Sequence, residues 1–426
     1  MTRSRVLAVL GATVFVVAAC EDDSLNRLGP TGRGSFDRYV SMGTSVSMGV
    51  RNGSNAITAE TQIGAWPSLL ARQAGAANFR LPLVRPGGCF SPSIAPLSLG
   101  INLAGRPQAS PLTPDTICAG GVAGIILPTN NVAITGHKAL DALTQTPESA
   151  AINRTVCSGS PQVCTTDLAR RKILPLVLLP KQTQVTAMLS QRPTFVSVEL
   201  GANDVLGIVS GIVIVGATIT PEADFIATYT KIIDSVKKTG AKAVLIGLPS
   251  AIESAAALRT GAELHADSLT FALGFRVTIA SDCKTTNAAN YIFVPARVFL
   301  AIGTARAVGS ATLSCANAPP TVQDGVLSPA DIALANSAIA GYNTAIQSLA
   351  TANGYAYATL DGWFLKPKPA FSVQQLLTST MPYGKFFGLD GVHPTQAGQI
   401  EIANSAITAI NARYRFEIPA LPTPTP

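Results

Sequence analysis

Five short apolar runs, at residues 38–42, 131–135, 194–200, 242–248 and 356–360, alternate along this chain with segments of helical period. Strands separated by whole helices cannot close as tight hairpins; each helix carries the chain back across the sheet, so the strands end up parallel. The pattern therefore predicts an α/β fold with a parallel sheet. In one helical segment Phe225, Tyr229, Ile232 and Val236 share a face, and Gly240 is placed to stop it. Another opens Ser328-Pro329, a cap followed by proline at the first helical position, and then aligns Ile332, Ala335, Ile339, Tyr342, Ile346 and Leu349. A last helix follows Pro394, with Ile400, Ala403, Ile407, Ile410 and Tyr414 in register. Four prolines in 418–426 exclude helix there.

With 47% hydrophobic and 13% charged residues the chain can bury a core, which excludes a disordered tail protein. Its excess of 31 Lys+Arg over 24 Asp+Glu is spread thinly, with no basic run longer than Arg170-Arg171-Lys172. A diffuse excess is not a nucleic-acid footprint. Three stretches rich in Pro, Gly, Ser and Thr, near 76–128, 146–168 and 251–320, interrupt the alternation. Loops of that length more often build a rim or lid around a site than lie structureless, so residues 36–416 read as one decorated domain followed by a Pro-rich tail at 417–426.

Residues 1–19 have the shape of an export signal, with Arg3 and Arg5 ahead of an apolar run too short to span a bilayer. The run ends Val17-Ala18-Ala19-Cys20, which resembles the bacterial lipobox, and residues 20–35 read as a polar tether. That resemblance implies lipidation at Cys20 and a membrane-anchored lipoprotein of the bacterial cell envelope. The alternative is an ordinary signal cleaved nearby, with Cys20 incidental. Six cysteines remain: Cys89, Cys118, Cys157, Cys164, Cys283 and Cys315. An even number in an exported chain favours disulfides, and pairing neighbours (89–118, 157–164, 283–315) closes each loop within one insertion. A metal site is the rival reading, but no CxxC pair occurs and the three histidines are far apart in sequence, so no metal is expected.

Polar motifs fall at the ends of the predicted strands. They are Ser41-Met42-Gly43-Thr44-Ser45-Val46-Ser47-Met48-Gly49, Asn131-Val132-Ala133-Ile134-Thr135-Gly136, Glu199-Leu200-Gly201-Ala202-Asn203-Asp204 and, before the last helix, Leu389-Asp390-Gly391-Val392-His393-Pro394. Ligands of parallel α/β sheets bind at the carboxyl ends of the strands, so the four segments can converge. They supply a hydroxyl, a backbone N–H beside a glycine, a side-chain amide, and a carboxylate with an imidazole, which are the parts of a serine hydrolase.

In this order the motifs resemble the SGNH or GDSL hydrolases, over most of residues 36–415 outside the insertions. The resemblance implies a three-layer α/β/α sandwich on a flavodoxin-like parallel sheet, and hydrolysis of an ester without a cofactor. It assigns Ser45 as nucleophile, His393 as base and Asp390 as the acid that orients it. Ser45, Gly136 and Asn203 would then form the oxyanion hole. The chain departs from the family pattern at Thr44, where Gly-Asp-Ser reads Gly-Thr-Ser and the supporting carboxylate is missing.

Each motif also has a plainer reading. Ser47 competes with Ser45, Asn203-Asp204 and Asp390-Gly391 are common turn pairs, and His393-Pro394 suits a helix start. His137, beside Gly136, either faces the site or, the favoured reading, starts a surface helix, and His265 in the largest insertion reads as structural or exposed. The apolar, glycine-interrupted stretch 205–219 is either a wall or lid for an acyl chain or a segment packed under the sheet. The substrate expected is an ester, of an acyl lipid or an acylated glycan. A catalytically silent glycan- or lipid-binding envelope lipoprotein on the same fold is the alternative. Chain length and charge leave the oligomeric state open.

Overall fold

The computed structural model describes residues 32–53, 56–90, 92–101, 103, 118–152, 171–319 and 322–423. The export signal, Cys20 with most of its tether, and the pair Cys157 and Cys164 lie outside them. At the centre are four parallel strands, β1 (Tyr39–Gly43), β2 (Phe195–Glu199), β3 (Lys242–Gly247) and β4 (Ala356–Thr359), side by side in that order. Pairing is in register from Tyr39 with Phe195 through Val244 with Ala356. Every residue of β1 and β2 is buried, as expected for a parallel sheet covered on both faces.

Five helices do most of the covering: α1 (Trp66–Gln73), α2 (Gln184–Ser190), α3 (Glu222–Lys238), α4 (Pro329–Asn353) and α5 (Gln396–Tyr414). In one layer α2 packs on β1, α4 packs on β3 and β4, and α3 packs on both helices. In the other, α5 packs on β3, β4 and α1. The architecture is the three-layer α/β/α sandwich expected from the sequence. Local signals set these helices. In α3 the apolar stripe is buried, Glu222 and Asp224 sit at the positive end of the dipole, and Lys237 and Lys238 at the negative end. In α4 the Ser328 hydroxyl accepts the Asp331 N–H (3.2 Å) while the Asp331 carboxylate accepts the Ser328 N–H (2.8 Å). Among the described helices none is long and apolar enough to cross a membrane.

Two expectations are corrected. Residues 131–135 run alongside β1, with Val132 N–H donating to Ser41 O and Ile134 N–H to Gly43 O (2.8 and 3.0 Å), but form only an isolated bridge at Asn131. This stretch lies beyond β1 at the outer edge, where Asn131 N–H also donates to Arg80 O (3.2 Å), and turns away at Gly136, where φ is 73°. The segment 251–320 is not a loop. It holds helices Ser268–Phe275 and Val294–Val308. Strands Leu258–Thr260 and Tyr291–Phe293 join Val326–Leu327 in a small antiparallel sheet. Three-residue strands carry too little periodicity to be read from sequence. The expected disulfides Cys89–Cys118 and Cys283–Cys315 are both present.

Candidate active site

Ser45 is the first residue of a single-turn helix, Ser45–Met48, that leaves the carboxyl end of β1. From the far end of the chain, the turn before α5 brings His393 over it, with Nε2 2.8 Å from Ser45 Oγ. The other ring nitrogen, Nδ1, lies 2.8 Å from Asp390 Oδ2. Asp390 is fixed by the backbone: the N–H groups of Val392 and His393 donate to Oδ1 (both 2.9 Å), and Gly53 N–H donates to Oδ2 (3.0 Å). Burial pushes the Asp390 carboxyl up, but the His393 ring and the backbone donors outweigh it and hold the group below the usual carboxylate value. A hydroxyl, an imidazole and an ionised carboxylate thus form one hydrogen-bonded chain. Such a chain can take a proton from the hydroxyl and stabilise the resulting imidazolium.

The hydroxyl of Ser47, the competing serine, points elsewhere. It donates to Glu199 Oε2 (2.9 Å) and accepts from the Trp66 indole N–H (3.0 Å). One glycine and one hydrogen-bonded glutamine keep this corner tight. A Cβ on Gly43 would meet the Ser47 hydroxyl and come within 3.0 Å of Glu199 Oε2. Gln399, buried on α5, donates to Val46 O (3.0 Å) and accepts from Trp66 N–H (2.8 Å), which ties the helix carrying Ser45 to the rest of the core.

Asn203 stands in the turn after β2. Gly201 turns the chain at φ 124°, where a Cβ would strike Leu248 at 2.8 Å, so glycine is required there. The Asn203 amide donates one hydrogen to His137 O (3.0 Å), and the residue lines the same pocket as Ser45 and His393. Gly136 immediately precedes His137, so the turn after 131–135 and the turn after β2 meet here. His137 is buried beside Gln184, its Nδ1 2.9 Å from the amide nitrogen, which corrects the expectation of a surface position. His265 sits on the short helix Gly261–Ala266 in the insertion. Asp204 is buried and accepts from Ala139 N–H (2.9 Å) and the Thr220 hydroxyl (2.8 Å); burial raises it from 3.8 to about 6.

Sequence reasoning gave no role to Glu199, the first residue of its strand-end motif. Its buried carboxylate accepts from four donors, the N–H and hydroxyl of Thr44 and of Ser47, on either side of Ser45. Burial is the larger influence and raises its pKa above the ordinary value despite these donors. A signal was available: a glutamate closing a strand, Phe-Val-Ser-Val-Glu, that is otherwise without charge and buried on both faces.

The strand-end residues stand in the order and on the α/β frame that the SGNH and GDSL hydrolases share, and the chain resembles that family. No protein-family model matches the sequence, and no curated protein matches it. Among solved structures, TesA is 11% identical, with 88% of this chain and 98% of that one aligned and a TM-score of 0.32. An acetylxylan esterase from Geobacillus stearothermophilus is 11% identical over 89% of this chain and 94% of its own, with a TM-score of 0.34. A GDSL-like lipase from Parabacteroides merdae is 11% identical over 88% and 94%, with a TM-score of 0.33. At TM-scores this low the likeness decides nothing about chemistry, which rests on the residues themselves.

Proposed function

We propose that the protein is a serine ester hydrolase. The observation that carries this reading is the unbroken chain from Ser45 Oγ through the His393 ring to Asp390, at 2.8 Å on each side. Ser45 Oγ attacks the ester carbonyl carbon as His393 Nε2 takes its proton. The oxyanion that forms is held by the N–H groups of Ser45 and Gly136 and by the Asn203 hydrogen not used on His137. The bond to the alcohol then breaks, and His393 returns the proton to the departing oxygen. A water molecule, activated by His393 in the same way, cleaves the acyl-serine to release the carboxylic acid and restore the hydroxyl. No step calls for a cofactor.

Thr44 bears on whether the site is active. Where the family has an aspartate, this chain has a neutral residue, but its N–H and hydroxyl are held by the Glu199 carboxylate. That favours an intact nucleophile turn over a silent binding protein. The lipobox-like end of the export signal supports placing the enzyme at the cell envelope, anchored through Cys20. The test is hydrolysis of p-nitrophenyl acetate by the full chain, with a serine-directed phosphonate and mass mapping of the labelled residue. Turnover with the label on Ser45 is expected. Neither turnover nor label would leave the silent binder.

A further inference from the structure

The pocket that opens on Ser45 and His393 is walled by the segments following β2, β3 and β4. Its polar residues are Ser45, Asn203 and His393, and every other side chain lining it is apolar. Val205, Leu206 and Val209 come from the turn after Asn203, and Ile252, Ala255 and Leu258 from the insertion after β3. Leu360, Trp363 and Phe364 come from the end of β4. Trp363 brings no unpaired donor, because its indole N–H is given to Phe386 O (2.8 Å). The insertion wall is stitched in place by Lys368, whose ammonium donates to the carbonyls of Glu253, Ala255 and Leu258 (3.0, 3.4 and 2.9 Å). The same insertion grips the catalytic turn, with Ala257 N–H donating to Gly391 O (2.9 Å).

Two chemical facts choose the occupant. A sugar or other hydroxylated group placed here would lose its water without gaining partners, whereas a hydrocarbon chain gains by leaving water. The alcohol must also collect a proton from His393 and depart, while the acyl group stays through both half-reactions. An apolar pocket contiguous with the nucleophile suits the part that stays. We infer that this pocket holds the acyl chain, and that the substrates are esters of fatty acids longer than acetyl. This rests on the hydrolase reading.

The test is kcat/KM of the full chain on p-nitrophenyl acetate, butyrate and octanoate. Each methylene taken into the pocket raises kcat/KM about fourfold, so butyrate exceeds acetate by about tenfold or more. Val209→Trp, at a half-buried position on the wall, fills the pocket and lowers the octanoate-to-acetate ratio by about tenfold; Leu206→Trp does the same from the neighbouring position. Acetate turned over as well as octanoate, or a ratio unmoved in whichever variant folds, overturns the acyl pocket while phosphonate labelling of Ser45 still upholds the hydrolase. No turnover of any ester and no label on Ser45 removes the hydrolase reading, and this inference with it.

Discussion

Thr44 gives both its backbone N–H and its hydroxyl to the buried carboxylate of Glu199, at 3.0 and 2.9 Å, across 155 residues of chain. Ser47 does the same from the other side, so Ser45 rides on a turn clamped at both ends. Glu199→Gln keeps an acceptor but sets an amide N–H₂ against backbone donors. Buried donors left without partners cost about 1–3 kcal/mol. A displaced nucleophile loses about 10²-fold in kcat. Steady-state kinetics with thermal melts reads both effects, and a folded variant with parental kcat would mean that the clamp has no bearing on Ser45.

Ser45→Ala is expected to remove about 10³-fold or more of the esterase activity while leaving the melt nearly unchanged. Ser47→Ala should act in the opposite sense, lowering stability through the lost Glu199 and Trp66 bonds while phosphonate still labels Ser45. Reversed outcomes would move the nucleophile two residues along the chain.

Asn203→Ala should lower kcat by roughly 10²–10³-fold with little change in KM, because an oxyanion donor meets full charge only in the transition state. The variant also removes the Asn203 bond to His137 O, so a melt must accompany the kinetics. Near-normal kcat in a folded protein would take Asn203 out of the oxyanion hole.

Asp204 predicts a pH signature. Its carboxyl is raised from 3.8 to about 6 by burial, so between those values the folded protein keeps a proton that the unfolded chain has lost. The contribution to stability is therefore greatest at low pH and is lost as pH rises through about 6, a change of about 3 kcal/mol. Asp204→Asn can still accept from Ala139, and the Thr220 hydroxyl can turn to accept from the new amide. Denaturant titrations between pH 4 and 7 should show this downward slope reduced in the variant. Equal slopes in both proteins would count against the raised carboxyl.

Replacing Cys283 and Cys315 together by serine should destabilise the insertion by about 3–4 kcal/mol, from the chain entropy of a loop 32 residues long. Hydrogen exchange would show faster opening of residues 258–315, with the central strands little affected. Peptide mapping without reductant would find Cys157 joined to Cys164; free thiols at both would sink that third pairing.

Much of the frame is legible in the chain itself, because its signals are local. The caps at Ser328 and Gly240, the 3.6-residue stripes of α3, α4 and α5, and the runs that become β1 to β4 each act within a few residues. The order of Ser45, Asn203, Asp390 and His393 at element ends is visible for the same reason, as is neighbour pairing of Cys89 with Cys118 and Cys283 with Cys315. What the tertiary structure alone decided depends on residues far apart in sequence. Ser45 and Ser47 are equivalent as local sequence. They differ only because His393, 348 residues away, meets one and Glu199 captures the other. His137 carries no mark of burial until Gln184 from α2 covers it. The insertion's walls and the turn at 205–209 are apolar in any reading. Folding over the strand ends is what joins them into one pocket beside a hydroxyl, since burial is a property of the assembled surface and not of any one segment.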